Sequence, residues 1–183
     1  AVQAYPEAAG NYIQNAKFVR QDDGSWKEEG SKSYAPADGQ VLDVYAYYPY
    51  VENADPTALK YDASEQSVDL MTARTIRVEA PFEEISLTFH HKLVLVEGCI
   101  AGDDRLTQRD VTLNNVRVAA SFSLAAASQA QELVAVEEKT GDVKAFRNGI
   151  AYHAYLPAQS IAKGTKLYTS VSYTHLRAHE TEA

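Results

Sequence analysis

Apolar and polar residues alternate with a period of two through much of this chain, most regularly at Asn115–Ala126, NVRVAASFSLAA. There Val116, Val118, Ala120, Phe122 and Leu124 share one side, and Arg117, Ala119, Ser121 and Ser123 the other, as successive strand residues must. Val41–Tyr48 repeats the pattern. Leu42, Val44, Ala46 and Tyr48 fall on one face and Val41, Asp43, Tyr45 and Tyr47 on the other, until Pro49, with no N–H to donate, ends the ladder. EISLTFHHKLVLVEG (Glu84–Gly98) predicts a third strand. On it Ile85, Leu87, Phe89, His91, Leu93 and Leu95 would face one way, and Ser86, Thr88, His90 and Lys92 the other.

Shorter runs carry the same signature. NAKFVRQDDGSWKEEG predicts a strand, a turn at Asp22–Gly24 and a return through Trp26. RTIRVEAP, ELVAVEE, IAYHAYLP and KLYTSVSY predict further strands, with loops at AGDD, EKTGD and FRNG. VENADPTALKYDASEQS (Val51–Ser67) is polar and breaker-rich and reads as a long surface loop. One stretch, LAAASQAQELVAV, could form a helix. Short strands between turn signals predict an all-β fold, an antiparallel Greek-key β-sandwich.

Composition agrees. Twelve Tyr against one Trp and one Met lean toward half-buried pleated surfaces. A formal net charge of −8 argues against a nucleic-acid partner, which needs a basic face, and against an anionic membrane surface. The apolar runs fall far short of the roughly 20 residues that span a bilayer, so no transmembrane span is expected. Cys99 is the sole cysteine. It permits no intrachain disulfide and reads as a small buried thiol in an apolar strand. The opening AVQAYPEAAG has no Met and no charged-then-apolar leader, which predicts a processed or trimmed product.

Candidate chemistry is sparse. His90 and His91, adjacent on a strand, point to opposite sides and cannot jointly hold one metal ion, and no further ligands are spaced to help them. His175 and His179 stand four apart, but HLRAH lacks the Glu of the H-E-x-x-H motif. Asp103 and Asp104 read as turn chemistry rather than a Ca²⁺ loop. Nucleophile-elbow, phosphate-loop and dinucleotide signatures are all missing. These residues predict no catalytic site, no metal and no cofactor. Tyr45, Tyr47, Tyr48 and Tyr50 form the one aromatic set that could serve a binding face. Sheet packing accounts for them equally; as contacts, Tyr45, Tyr47 and Tyr50 are the candidates for a glycan or partner.

Four stretches in order resemble the fimbrillin-like proteins of Bacteroidales: LDVYAYYPY, VDLMTARTIRV, ISLTFHHKLVLV with Phe89, His91 and Leu93, and YHAYLPAQSIAKGTKLYTSV with Pro157, Gln159 and Gly164. The resemblance runs from about Asn15 to Ser170. It departs at Ala158, which stands between a Pro and a Gln that the family usually joins directly. It implies a transthyretin-like sandwich, residues 1–170, normally the first of two such domains. It also implies export as a lipoprotein to the outer-membrane surface or a fimbrium, and a non-catalytic subunit or adhesin assembled by strand addition. Other fimbrial subunits or host or bacterial surface receptors would be its partners; a surface glycan-binding lipoprotein is the alternative. VSYTHLRAHETEA, at the end, resembles a translated sequencing adapter, so residues 171–183 are expected to be such an artefact or a disordered tail.

Overall fold

The computed structural model describes residues 2–6, 13–30, 37–55, 58–81, 85–100, 109–124 and 135–172. All their regular structure is β, with no helix among the described residues. In chain order the strands are β1 (Val2–Pro6), β2 (Ile13–Ala16), β3 (Phe18–Arg20), β4 (Trp26–Glu28), β5 (Val41–Tyr48), β6 (Leu59–Asp62), β7 (Met71–Glu79) and β8 (His90–His91). Then follow β9 (Val94–Gly98), β10 (Arg109–Arg117), β11 (Ala119–Phe122), β12 (Ala135–Val136), β13 (Thr140–Lys144), β14 (Phe146–Asn148), β15 (Ala151–Leu156) and β16 (Tyr168–Ser172). The predicted helix falls on residues 124–136, most of which lie outside the described residues.

Among the described residues five antiparallel sheets result, ordered β2-β1-β5-β7-β8, β13-β10-β16, β12-β11-β6, β14-β15-β9 and β3-β4. Several are joined along the chain. Only Lys92 and Leu93 separate β8 from β9, so one segment pairs first with β7 and then with β15. Val118 alone separates β10 from β11, and that long strand carries β13 and β16 at one end and β12 and β6 at the other. Between these layers lies the main core. Tyr45 and Tyr47 of β5, with Ala154 and Leu156 of β15, meet Tyr61 of β6, Leu113 and Val116 of β10, Phe122 of β11 and Val143 of β13. This is sandwich packing, with each buried Val, Leu or aromatic side chain contributing roughly 1.5–3 kcal/mol. The opposite face of β5 is covered too: Leu42 and Val44 pack against Ile13, Val78, Ile85 and Leu87.

Two strands insert an extra residue without turning their apolar set outward. Along the long strand of β10 and β11, Val111 and Leu113 are buried at odd positions, and Val116 and Val118 at even ones. The change of phase is a β-bulge between Leu113 and Val116, where Asn114 and Asn115 oppose Asp142. Asn115 sits in the left-handed region at φ 49°, and its N–H donates to Asp142 Oδ1 at 2.9 Å. On β7 the same arrangement recurs. Arg77, at φ 55°, donates its N–H to Asp43 Oδ1 at 2.8 Å across the β5–β7 bulge. In both places an Asp side chain accepts the N–H that the interrupted ladder leaves over.

Several sequence expectations are corrected, among them the EKTGD loop, whose Thr140 and Gly141 pair with β10 as part of β13. Val51–Ser67 is not all loop: Leu59 and Tyr61 point into the core from β6, with Lys60 and the half-buried Asp62 alternating on its other face. FRNG is not all loop either, because Phe146–Asn148 pairs with β15 and only the turn at Gly149 follows. The single strand over Glu84–Gly98 is broken. Ile85–Phe89 lies outside any strand, and the interruption at Lys92–Leu93 turns Val96 rather than Leu95 toward the core. Cys99 is exposed, because the chain leaves the sheet at Gly98 and carries the thiol past the strand that would have buried it.

Candidate functional site

The aromatic segment Tyr45–Tyr50 is the place to begin, because β5 pairs on both sides and fixes each ring. Tyr47 is 2% exposed. Its hydroxyl donates to Asn15 Oδ1 at 2.5 Å and lies 3.2 Å from the Val51 carbonyl oxygen. Asn15 Nδ2 donates to that same carbonyl at 3.0 Å, so β2 and the turn after β5 are tied through one tyrosine. Tyr48–Pro49 is a cis peptide bond at the start of that turn. Tyr45 is also buried, with the Arg74 guanidinium 5.6 Å from its ring centre. Burial pushes both phenols above the usual tyrosine range.

The three tyrosines therefore part company. Tyr45 and Tyr47 are core residues and present no ring to a ligand, while Tyr50 is half-buried beneath the Lys17 ammonium, 5.6 Å from its ring centre. Lys17 is in turn paired with Glu29, whose carboxylate holds the ammonium above the ordinary lysine range. Tyr48, on the outer face of β5, is 43% exposed.

The histidine pair lies on β8, His90 opposite Thr72 and His91 opposite Met71. Both are exposed, so His91 is not the buried member of an apolar face that the alternation predicts. Its Nδ1 bonds Asp69 Oδ2, and no group of three or more His, Cys, Asp or Glu is placed to hold a metal ion among the described residues. Asp103, Asp104, His175 and His179 lie outside the described residues. A pocket lined by Tyr47, Pro49, Leu59, Tyr61, Leu70 and Phe122 encloses about 10 Å³, room for one water and far below a small-molecule site.

Gln159 has a role that spacing alone does not reveal. β16 covers Arg109–Leu113 of the long strand and β6 covers Ala119–Phe122, leaving a gap between them. Into it Gln159 places its side-chain amide. Oε1 accepts the Arg117 N–H at 2.8 Å, and Nε2 donates to the Arg117 carbonyl at 3.0 Å. One side chain thus imitates a residue of a neighbouring strand. Gln159→Ala is expected to lower stability by about 1–2 kcal/mol, and Gln159→Glu, which keeps the acceptor and loses the donor, by a comparable amount. Urea unfolding of both variants checks this.

With this geometry in place, a family profile for fimbrillin-like proteins matches residues 2–180. The chain belongs to the fimbrillin-like family. Its fold is similar to three crystal structures, each described as a "putative cell adhesion protein". One from Bacteroides uniformis has a TM-score of 0.66 at 22% identity, covering 93% of this chain and 72% of that one. One from Bacteroides ovatus has a TM-score of 0.55 at 15% identity, over 85% and 66%. One from Bacteroides thetaiotaomicron has a TM-score of 0.57 at 13% identity, over 93% and 65%. This fimbrillin-like chain therefore spans about two-thirds to three-quarters of the length of these neighbours. A search of the curated proteins found no match.

The described sheets of the fimbrillin-like sandwich end on strands paired along one side. Among the described residues β2, β3, β4, β6, β8, β9, β12, β13, β14 and β16 each pair on one side. A strand paired along one side can offer the other side to a further strand in register. Charge guards some of these strands: Lys60 and Asp62 stand on β6, Asp142 and Lys144 on β13 and Arg147 on β14. On β6, burial disfavours the Asp62 charge, but the Lys139 ammonium and the Ser64 hydroxyl and N–H outweigh it and hold the carboxyl below its usual range.

Proposed function

We propose that this chain is a non-catalytic cell-surface structural protein, a fimbrial subunit or adhesin that assembles by strand addition. Family membership carries the reading, and the border strands paired along one side give it a physical route. An extended segment of a neighbouring subunit added to one border gains backbone hydrogen bonds for affinity and alternate side-chain contacts for register. Residues 1–170 would then be one sandwich domain of a longer surface protein, with other subunits or surface receptors as partners. No helix among the described residues is long and apolar enough to cross a membrane.

Hydrogen exchange on the purified full chain, dilute and concentrated, tests the assembly step. Strand addition is expected to produce oligomers in which the amides of one border strand gain protection by at least tenfold. A chain that stays monomeric at every concentration, with no border strand gaining protection, would sink this part of the reading.

A further inference from the structure

On the outer face of the β5 sheet, three cross-strand neighbours form an open row. Tyr48 pairs with Met71, and Met71 pairs with His91. Paired residues point to the same side of a sheet, and neighbouring strands are about 4.8 Å apart, so the row spans roughly 10 Å. Tyr48 is 43% exposed and the His91 side chain 73% exposed, while Met71 between them is half-buried. Phe89, two residues before His91, is also exposed.

His91 is held in one orientation. An ionised carboxylate only accepts, so the Asp69 bond places a proton on His91 Nδ1 and leaves Nε2 on the opposite edge of the ring. Asp69 itself is nine-tenths buried, and its Oδ1 has no hydrogen-bond partner among the described residues. Burying a carboxylate with one oxygen unpartnered, in order to grip an exposed imidazole, is a poor way to stabilise a fold. It is an effective way to fix a polar group beside an aromatic platform.

We propose that Tyr48, Met71 and His91, with Asp69 as positioning residue, form a binding face for a neutral glycan chain. A sugar ring packs its C–H face on Tyr48, and a hydroxyl bonds His91 Nε2. The surface is open rather than enclosed, which suits an extended chain lying across strands. Its chemistry favours a neutral ligand. The charge nearest the row is the Asp69 carboxylate, Lys92 is half-buried one residue beyond His91, and the chain carries a formal net charge of −8. Anionic polysaccharides would be repelled. This function goes beyond assembly and does not depend on strand addition.

Isothermal titration of the full chain with cellohexaose, mannohexaose and N-acetylchitohexaose, alongside an anionic hyaluronan hexasaccharide, tests the proposal. At least one neutral oligosaccharide is expected to bind and the anionic one is not. Tyr48→Ala and His91→Ala should each weaken binding at least tenfold, and His91→Gln should restore part of it. Ile150→Ala, exposed at the turn before β15 and off the row, should bind as the parent does. Thermal unfolding of each variant confirms that the exposed substitutions leave the fold intact. No binding to any neutral oligosaccharide overturns the proposal, as does undiminished binding by a Tyr48→Ala, His91→Ala double variant. Occupation of the row by a second copy of the chain, seen as concentration-dependent protection there, overturns it too. None of these outcomes bears on whether a border strand accepts a neighbour.

Discussion

Tyr61→Ala is expected to lower the unfolding free energy by about 3–5 kcal/mol, and Tyr61→Phe by about 1 kcal/mol. The ring is 2% exposed, and β6 inserts it into the main core with Leu59. Its hydroxyl lies 3.1 Å from the Val68 carbonyl oxygen and 3.4 Å from those of Gln66 and Tyr155. One side chain therefore ties β6, the loop that follows it and β15. Truncation to alanine opens a cavity where two layers meet, whereas phenylalanine removes only the hydroxyl. A pH effect accompanies this. Burial, reinforced by the nearby Asp69 and Asp62, pushes the Tyr61 phenol far above its ordinary value. Above the unfolded value of about 10 the unfolded chain loses that proton while the folded one keeps it, so stability falls as pH rises. Urea unfolding at about pH 9 and about pH 11 is expected to show a loss for the parent. Tyr61→Phe should lose less, and an equal loss would show that Tyr61 is not the group involved.

Tyr61 also shows where the sequence is hard to read. It lies in a four-residue strand between ADPT and ASEQS, and the breakers on either side disguise an alternation too short to register. Longer alternations at Val41–Tyr48 and Asn115–Leu124, and the Asp-Asp-Gly hairpin, are legible because turn chemistry and period agree. Ile85–Val96 misleads for the opposite reason. Its apolar residues keep a period of two across Lys92–Leu93, where the backbone does not. The candidate tyrosines fare unevenly because a strand buried on both faces cannot be told from a half-exposed one by alternation alone. Asp69 and Gln159 carry no local signal, since their partners, His91 and Arg117, stand far along the chain and only the pairing of strands brings them close.

Deleting Asn115 is expected to cost about 3–6 kcal/mol, a large share of the 5–15 kcal/mol typical of a domain. The bulge lets Val111 and Leu113 at odd positions and Val116 and Val118 at even positions face one core. Removal of one residue leaves β10 and β11 in a single phase, and a one-residue slip sends side chains to the opposite face. Either Val111 and Leu113 or Val116 and Val118 must then turn outward. Each pair removes two buried side chains at roughly 1.5–3 kcal/mol apiece. The pairings with β16 and with β6 hold the two halves in fixed registers, so the chain cannot slide to relieve the mismatch. Two milder variants separate register from local bonding. Asn115→Gly keeps the extra residue and relieves the left-handed backbone, so it is expected to be neutral or to gain about 0.5 kcal/mol. Asp142→Ala removes only the acceptor of the Asn115 N–H and is expected to cost about 1 kcal/mol. Urea midpoints for the three variants rank them. A deletion no worse than Asp142→Ala would mean that the bulge is dispensable and that the two halves of the long strand find the core without it.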